Sequence, residues 1–137
     1  MLSPKRTKYR KKQKGKNRGK AFKGNKVSFG QVGLFSLEHG RISNRVIEAA
    51  RVSINRKMKR GGKVWIRIFP HYPVTKKPAE VRMGKGKGNP EGWVAIVKPG
   101  TMMFEVQHQD KEIAMQALKA AMQKFPLKTK IAERRDI

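Results

Sequence analysis

The first acidic residue of this chain is Glu38. Before it, residues 1–26 carry twelve basic side chains: Lys5, Arg6, Lys8, Arg10, Lys11, Lys12, Lys14, Lys16, Arg18, Lys20, Lys23 and Lys26. Apolar residues are too sparse there to offset the entropy of ordering the backbone. Residues 1–26 therefore read as a basic extension, and 27–137 as a single domain, since 137 residues suit one core. A one-sign block of this length points to an arm that orders on nucleic acid. A merely solubilising tail is the bland alternative. Tyr9 and Phe22 are suited to stack on bases or to pack on the domain.

The imbalance extends to the whole chain. Lys and Arg total 34 against 9 Asp and Glu, a formal net charge of +25. Self-repulsion on that scale destabilises a compact monomer unless a polyanion supplies the missing charge. Nucleic acid is the first such partner and an anionic membrane surface the second. No apolar run approaches the about 18 residues that a membrane span needs. No apolar stretch follows the basic N-terminus as it would in a signal peptide. Cysteine is absent, which excludes disulfides and thiolate zinc sites.

A second basic stretch is Arg82-Met83-Gly84-Lys85-Gly86-Lys87-Gly88, followed by Asn89-Pro90-Glu91-Gly92-Trp93. Alternating glycine and lysine cannot build a core. The glycines permit positive φ and close approach of another backbone, and the lysines bring charge. A mobile, solvated loop is the alternative to one pressed against an anion. The stretch matches neither the phosphate-binding P-loop pattern nor the dinucleotide fingerprint.

Between these stretches the apolar periodicity is clear. Val27 to Leu37 reads as a bent strand, with Gly30 and Gly33 marking bulges or close backbone approach. Glu38-His39-Gly40 reads as a turn. Ser43 is an N-cap for a helix to about Lys59, with Ile47, Ala50, Ile54 and Met58 as its buried stripe. Arg60-Gly61-Gly62 is expected to stop it. From Arg41 to Lys63 there are eight basic residues against one acid, Glu48. A solvated helix face normally mixes both signs to gain i,i+4 pairs. The partner of Arg51, Arg56, Arg60 and Lys63 is therefore expected off the chain, as RNA.

Lys63 to Phe69 is the plainest strand, its apolar run broken by Arg67. Pro70, Pro73 and Pro78 confine the next segment to edge pieces such as Val74-Thr75 and Glu80-Val81-Arg82. Trp93 to Val97 and Met102 to Val106 flank Pro99-Gly100, a hairpin signal. Asp110 N-caps a last helix striped by Ala114, Leu118, Ala121, Met122 and Phe125, joined by Ile113 and Ala117. Lys124 is expected in its last turn, and Leu127 to Ile131 as a final strand. Strands and two helices without βαβ alternation indicate an α+β fold, a largely antiparallel sheet covered by two helices.

No catalytic chemistry is visible. His39, His71 and His108 are far apart in sequence, none at metal-ligand spacing. The acids are too few and scattered to suggest a general acid/base pair. No enzyme, no metal and no cofactor are expected.

Several blocks converge on one family. Met1 to Lys8, Ile47-Glu48-Ala49-Ala50-Arg51, Gly62 to Pro70, Lys77 to Asn89 and Trp93-Val94-Ala95 resemble, in order, the bacterial-type large-subunit ribosomal protein L-sixteen family. The chain departs from the family pattern at His71-Tyr72, Val52 and Gln107-His108-Gln109. The resemblance implies a hammerhead-type α+β fold seated on large-subunit rRNA near the aminoacyl-tRNA site. It implies that the loop with Arg82, Met83, Gly84, Lys85, Gly86, Lys87 and Gly88 reaches toward the peptidyl-transferase region and the tRNA acceptor end. It implies that the arm from Lys5 to Lys20 runs into rRNA. The partners implied are rRNA, tRNA and neighbouring large-subunit ribosomal proteins, with no membrane and no homo-oligomer. The expected location is the ribosome of a bacterial cytoplasm or of an organelle.

Overall fold

The computed structural model describes residues 3–4, 25–59, 61–75 and 90–134. The arm from Lys5 to Lys20, Arg60, the Glu80-Val81-Arg82 edge piece and the loop from Arg82 to Gly88 lie outside these residues. The elements run β1 (Val32–Ser36), β2 (Gly40–Ser43), α1 (Asn44–Met58), β3 (Gly62–Ile66), β4 (Tyr72–Thr75), β5 (Pro90–Val97), β6 (Met102–His108), α2 (Lys111–Met122) and β7 (Thr129–Glu133).

All strand pairs are antiparallel, as expected, but the strands divide into two sheets. One has the order β3-β6-β1-β7, the other β2-β5-β4. The hairpin expected around Pro99-Gly100 does not form. The turn is there: the Thr101 N–H donates to Lys98 O at 3.0 Å, and Gly100 adopts φ 93°. It hands the chain from one sheet to the other. β5 already pairs with β2 and β4, and β6 with β3 and β1, so neither has an edge left for the other. Pro73 in β4 is accommodated because β4 is an edge strand.

The helix α1 follows its sequence pattern closely. The Ser43 hydroxyl accepts from the Val46 N–H at 3.2 Å, and Ile47, Ala50, Ile54 and Met58 are all buried. This stripe packs against α2 and against strands of both sheets. α2 covers the four-stranded sheet and also packs on α1, where Ala50, Ala114, Ala117 and Ala121 are small and buried. Its N-cap is Asp110, whose side chain accepts from the Glu112 N–H at 3.0 Å. The helix ends at Met122, so Lys124 falls beyond its last turn. One core joins Val32, Leu34, Phe104 and Val106 of one sheet to Ile42, Ala95 and Val97 of the other. Phe125 closes it edge-on against Phe104, ring centres 5.9 Å apart.

One glycine reading is met and another changes. Gly30 does mark a close approach, since a Cβ there would lie 2.7 Å from Val106 O. The break in register of β1, however, falls between Leu34 and Phe35 rather than at a glycine. The glycines after α1 do not stop it. Lys59 takes the left-handed position itself, φ 51°, and its N–H bonds back to Arg56 O. Gly62 serves the sheet instead: a Cβ there would lie 2.4 Å from Gln107 O. A lysine in the left-handed region costs roughly 1 kcal/mol that glycine avoids. Lys59→Gly should therefore raise the stability by up to about 1 kcal/mol in a denaturant melt. An unchanged or lowered midpoint would show that the left-handed cap is unstrained.

Candidate nucleic-acid interface

The exposed face of α1 is basic because its buried stripe takes up the apolar residues. Arg45, Arg56 and Lys57 are exposed on it, with Lys59 just beyond its end. A groove between α1 and the end of α2 is lined by the apolar Ala49, Val52 and Ala120, by Arg45, Arg56, Lys57 and Lys124, and by the single acid Glu48. Such a surface offers both apolar contact and phosphate ligands. Arg51 is partly withdrawn from it. Its guanidinium pairs with Glu48 one turn earlier, with both groups partly exposed. The hydrogen bond to Arg51 holds the Glu48 carboxyl below its usual range. In a solvated setting such a pair contributes only some tenths of a kcal/mol. Lys63 is exposed on β3, an outer strand of the four-stranded sheet, opposite Gln107.

The strands also fix where the Gly/Lys segment starts and ends. β4 and β5 pair antiparallel, with Thr75 opposite Pro90. The connection 76–89 therefore leaves and re-enters at adjacent points on one sheet.

Sequence reading missed the most buried electrostatic element. Glu105 sits in the middle of β6 with no exposed surface. Its Oε1 accepts from three successive backbone N–H groups, Ser28 at 2.7 Å, Phe29 at 2.8 Å and Gly30 at 3.1 Å. Its Oε2 accepts from Arg67 Nη1 at 2.7 Å, and the same nitrogen donates to Lys26 O at 2.5 Å. Burial alone would push this carboxyl up. The backbone N–H groups and Arg67 outweigh it, and the carboxyl is held below its usual range. The clamp fastens residues 26–30, where the basic arm meets the sheet. Its signal was in the sequence: Arg67 and Glu105 are opposite charges, each interrupting an apolar run.

Among the described residues no three side chains are grouped to hold a metal, and no helix is long and apolar enough to cross a membrane. His71 Nδ1 lies 3.2 Å from Phe69 O, and His108 Nδ1 accepts from the Asp110 N–H, both local contacts.

Residues 4–132 match the family described as Ribosomal protein L16p/L10e. The chain belongs to that family. It is 56% identical over 134 residues to the large ribosomal subunit protein uL16 of two strains of Leptospira biflexa serovar Patoc, covering 98% of each chain. Family membership makes it a structural ribosomal protein rather than an enzyme. It also accounts for a fold whose charge is not balanced from within, as rRNA binding requires.

The Glu105 clamp has a pH signature. Its folded carboxyl is depressed, so its stabilisation is present above the ordinary carboxylate pKa of about 4.3. That stabilisation is lost as the pH falls through the lower folded value. Glu105→Gln should cost about 3 kcal/mol at pH 7, by leaving Arg67 without its charged partner. The gap to the wild type should narrow below about pH 4. Melts showing the same gap at low and neutral pH would contradict an ionised, clamped Glu105.

Proposed function

We propose that this ribosomal protein is a constituent of the large subunit that binds rRNA through its arm and its α1 face. We propose further that its Gly/Lys loop helps to form the aminoacyl-tRNA site, close to the peptidyl-transferase region. The observation that carries the reading is the one-sided distribution of charge. Three of the few acids are already engaged with internal cations, Glu48 with Arg51, Glu105 with Arg67 and Glu133 with Lys111. Among the described residues no acid pairs with the exposed Arg45, Arg56 or Lys57 of α1. In this role Arg51, Arg56, Arg60 and Lys63 hold an rRNA helix, and Lys5 to Arg18 follow rRNA phosphates. The protein acts as one copy beside neighbouring ribosomal proteins.

Released counterions drive such binding, and the logarithm of the affinity falls linearly with that of the salt concentration. Lysine and arginine contacts of this kind recognise RNA backbone and shape more than sequence. The loop assignment agrees with its origin at a strand pair, which points both ends of the connection the same way.

Two measurements test it. Lys85→Glu combined with Lys87→Glu should leave the protein folded and incorporated into large subunits, yet lower aminoacyl-tRNA binding to ribosomes that carry it. Normal tRNA binding would remove the loop from the aminoacyl site. Deletion of residues 1–20 should weaken rRNA incorporation and leave the thermal midpoint nearly unchanged, because the clamp begins at Lys26. A large fall in the midpoint would make the arm part of the core.

A further inference from the structure

Phe29 is 55% exposed, the largest exposure among the large apolar side chains of the described residues. An exposed ring is ordinarily mobile. This one is held on several sides. Its backbone N–H is fixed by Glu105, and its ring stacks on Trp65 with centres 6.3 Å apart and planes 20° from parallel. The Arg67 guanidinium lies 5.3 Å from the ring centre. More than half of the residue still faces solvent after these contacts. A polar cleft opens beside it, lined by Gly30, Gln31, Gln107, Lys111 and Arg134. The Gln31 side-chain Oε1 accepts from the His108 N–H at 3.3 Å, and Gln31 and Gln107 both line the cleft.

We propose that Phe29 is a stacking platform for one unpaired nucleobase of an RNA strand, with the base edge facing Gln31 and Gln107. This deepens the RNA-binding reading above and rests on it. That reading relies on lysine and arginine contacts to phosphate, which do not distinguish a base from its absence. A rigid aromatic face with amides beside it does, because a stacked base gains contact in every sequence and amides can meet its edge. The surroundings suit a nucleotide. The nearby acids are engaged, Glu105 by Arg67 and Glu133 by Lys111, while Arg134 and the basic arm that starts at Lys26 bring positive charge. The stack sits beside Lys26, where the basic arm joins the sheet.

The test compares a short oligouridylate with a ribose-phosphate chain of the same length that lacks bases. Each is titrated into the full-length protein at low and moderate salt. The wild type should prefer the base-bearing chain about tenfold. Phe29→Leu keeps apolar cover over Trp65 but has no π-face. It should melt like the wild type and lose most of that preference, with the salt slope unchanged. Phe29→Tyr should retain the preference. Ultraviolet irradiation of the wild-type complex, and of assembled large subunits, should join a nucleotide to the peptide containing Phe29. Equal binding of the two chains by the wild type, or full preference in Phe29→Leu, overturns the stacking site and leaves phosphate-driven binding standing. A crosslink from Phe29 to a neighbouring protein in the subunit also overturns it. Failure of the wild type to bind either chain at low salt overturns the RNA-binding reading itself.

Discussion

With 34 basic residues and 9 acidic ones, no internal arrangement could neutralise this chain. The fold shows how the few acids are used. Glu105 is buried against Arg67, Glu48 pairs with Arg51 on α1, Glu133 pairs with Lys111, and Asp110 caps α2. Each serves the fold itself. Among the described residues no acid pairs with Arg45, Arg56 or Lys57 on the outward face of α1, so the electrostatic free energy of the folded protein falls when phosphate is brought to it. The family to which the chain belongs supplies that phosphate in the form of ribosomal RNA.

The Glu105–Arg67 pair ties this charge pattern to the architecture. A buried ion pair is weak evidence of net stabilisation, because desolvation opposes the Coulomb gain. Here the carboxylate also takes three backbone N–H groups in succession. The cluster therefore acts as a fastening more than as a source of stability. It holds residues 26–30 against the four-stranded sheet and places Phe29 over Trp65. The arm has little apolar content with which to anchor itself. One acid in the middle of a core strand supplies that anchor.

The long helical stripes were legible because helix periodicity is local. Ile47, Ala50, Ile54 and Met58 recur at helical spacing and all are buried, and both N-caps, Ser43 and Asp110, accept from the first turn. Strand identity was legible too, since Val64, Trp65 and Ile66 are β-formers whatever they pair with. Strand partnership was not. Pro99-Gly100 specifies a turn, and the same turn serves a hairpin or a corner between sheets; long-range pairing decides between them. β2 escaped notice because four residues that end on a helix cap are too few to show alternation. Gly62 was read as a helix stop because glycine after a helix usually is one, whereas here it allows close approach to β6.

The charge excess, the absence of thiol chemistry, the antiparallel α+β class and the family were determined by residue types and their order, which need no contacts to be read. Tertiary structure alone decided that the strands form two sheets and that the turn at Pro99-Gly100 joins them. It alone brought Glu105 to the base of the arm and left an aromatic ring exposed beside a cleft of amides. These depend on residues as much as 77 positions apart in the chain, and no local pattern encodes which of them meet.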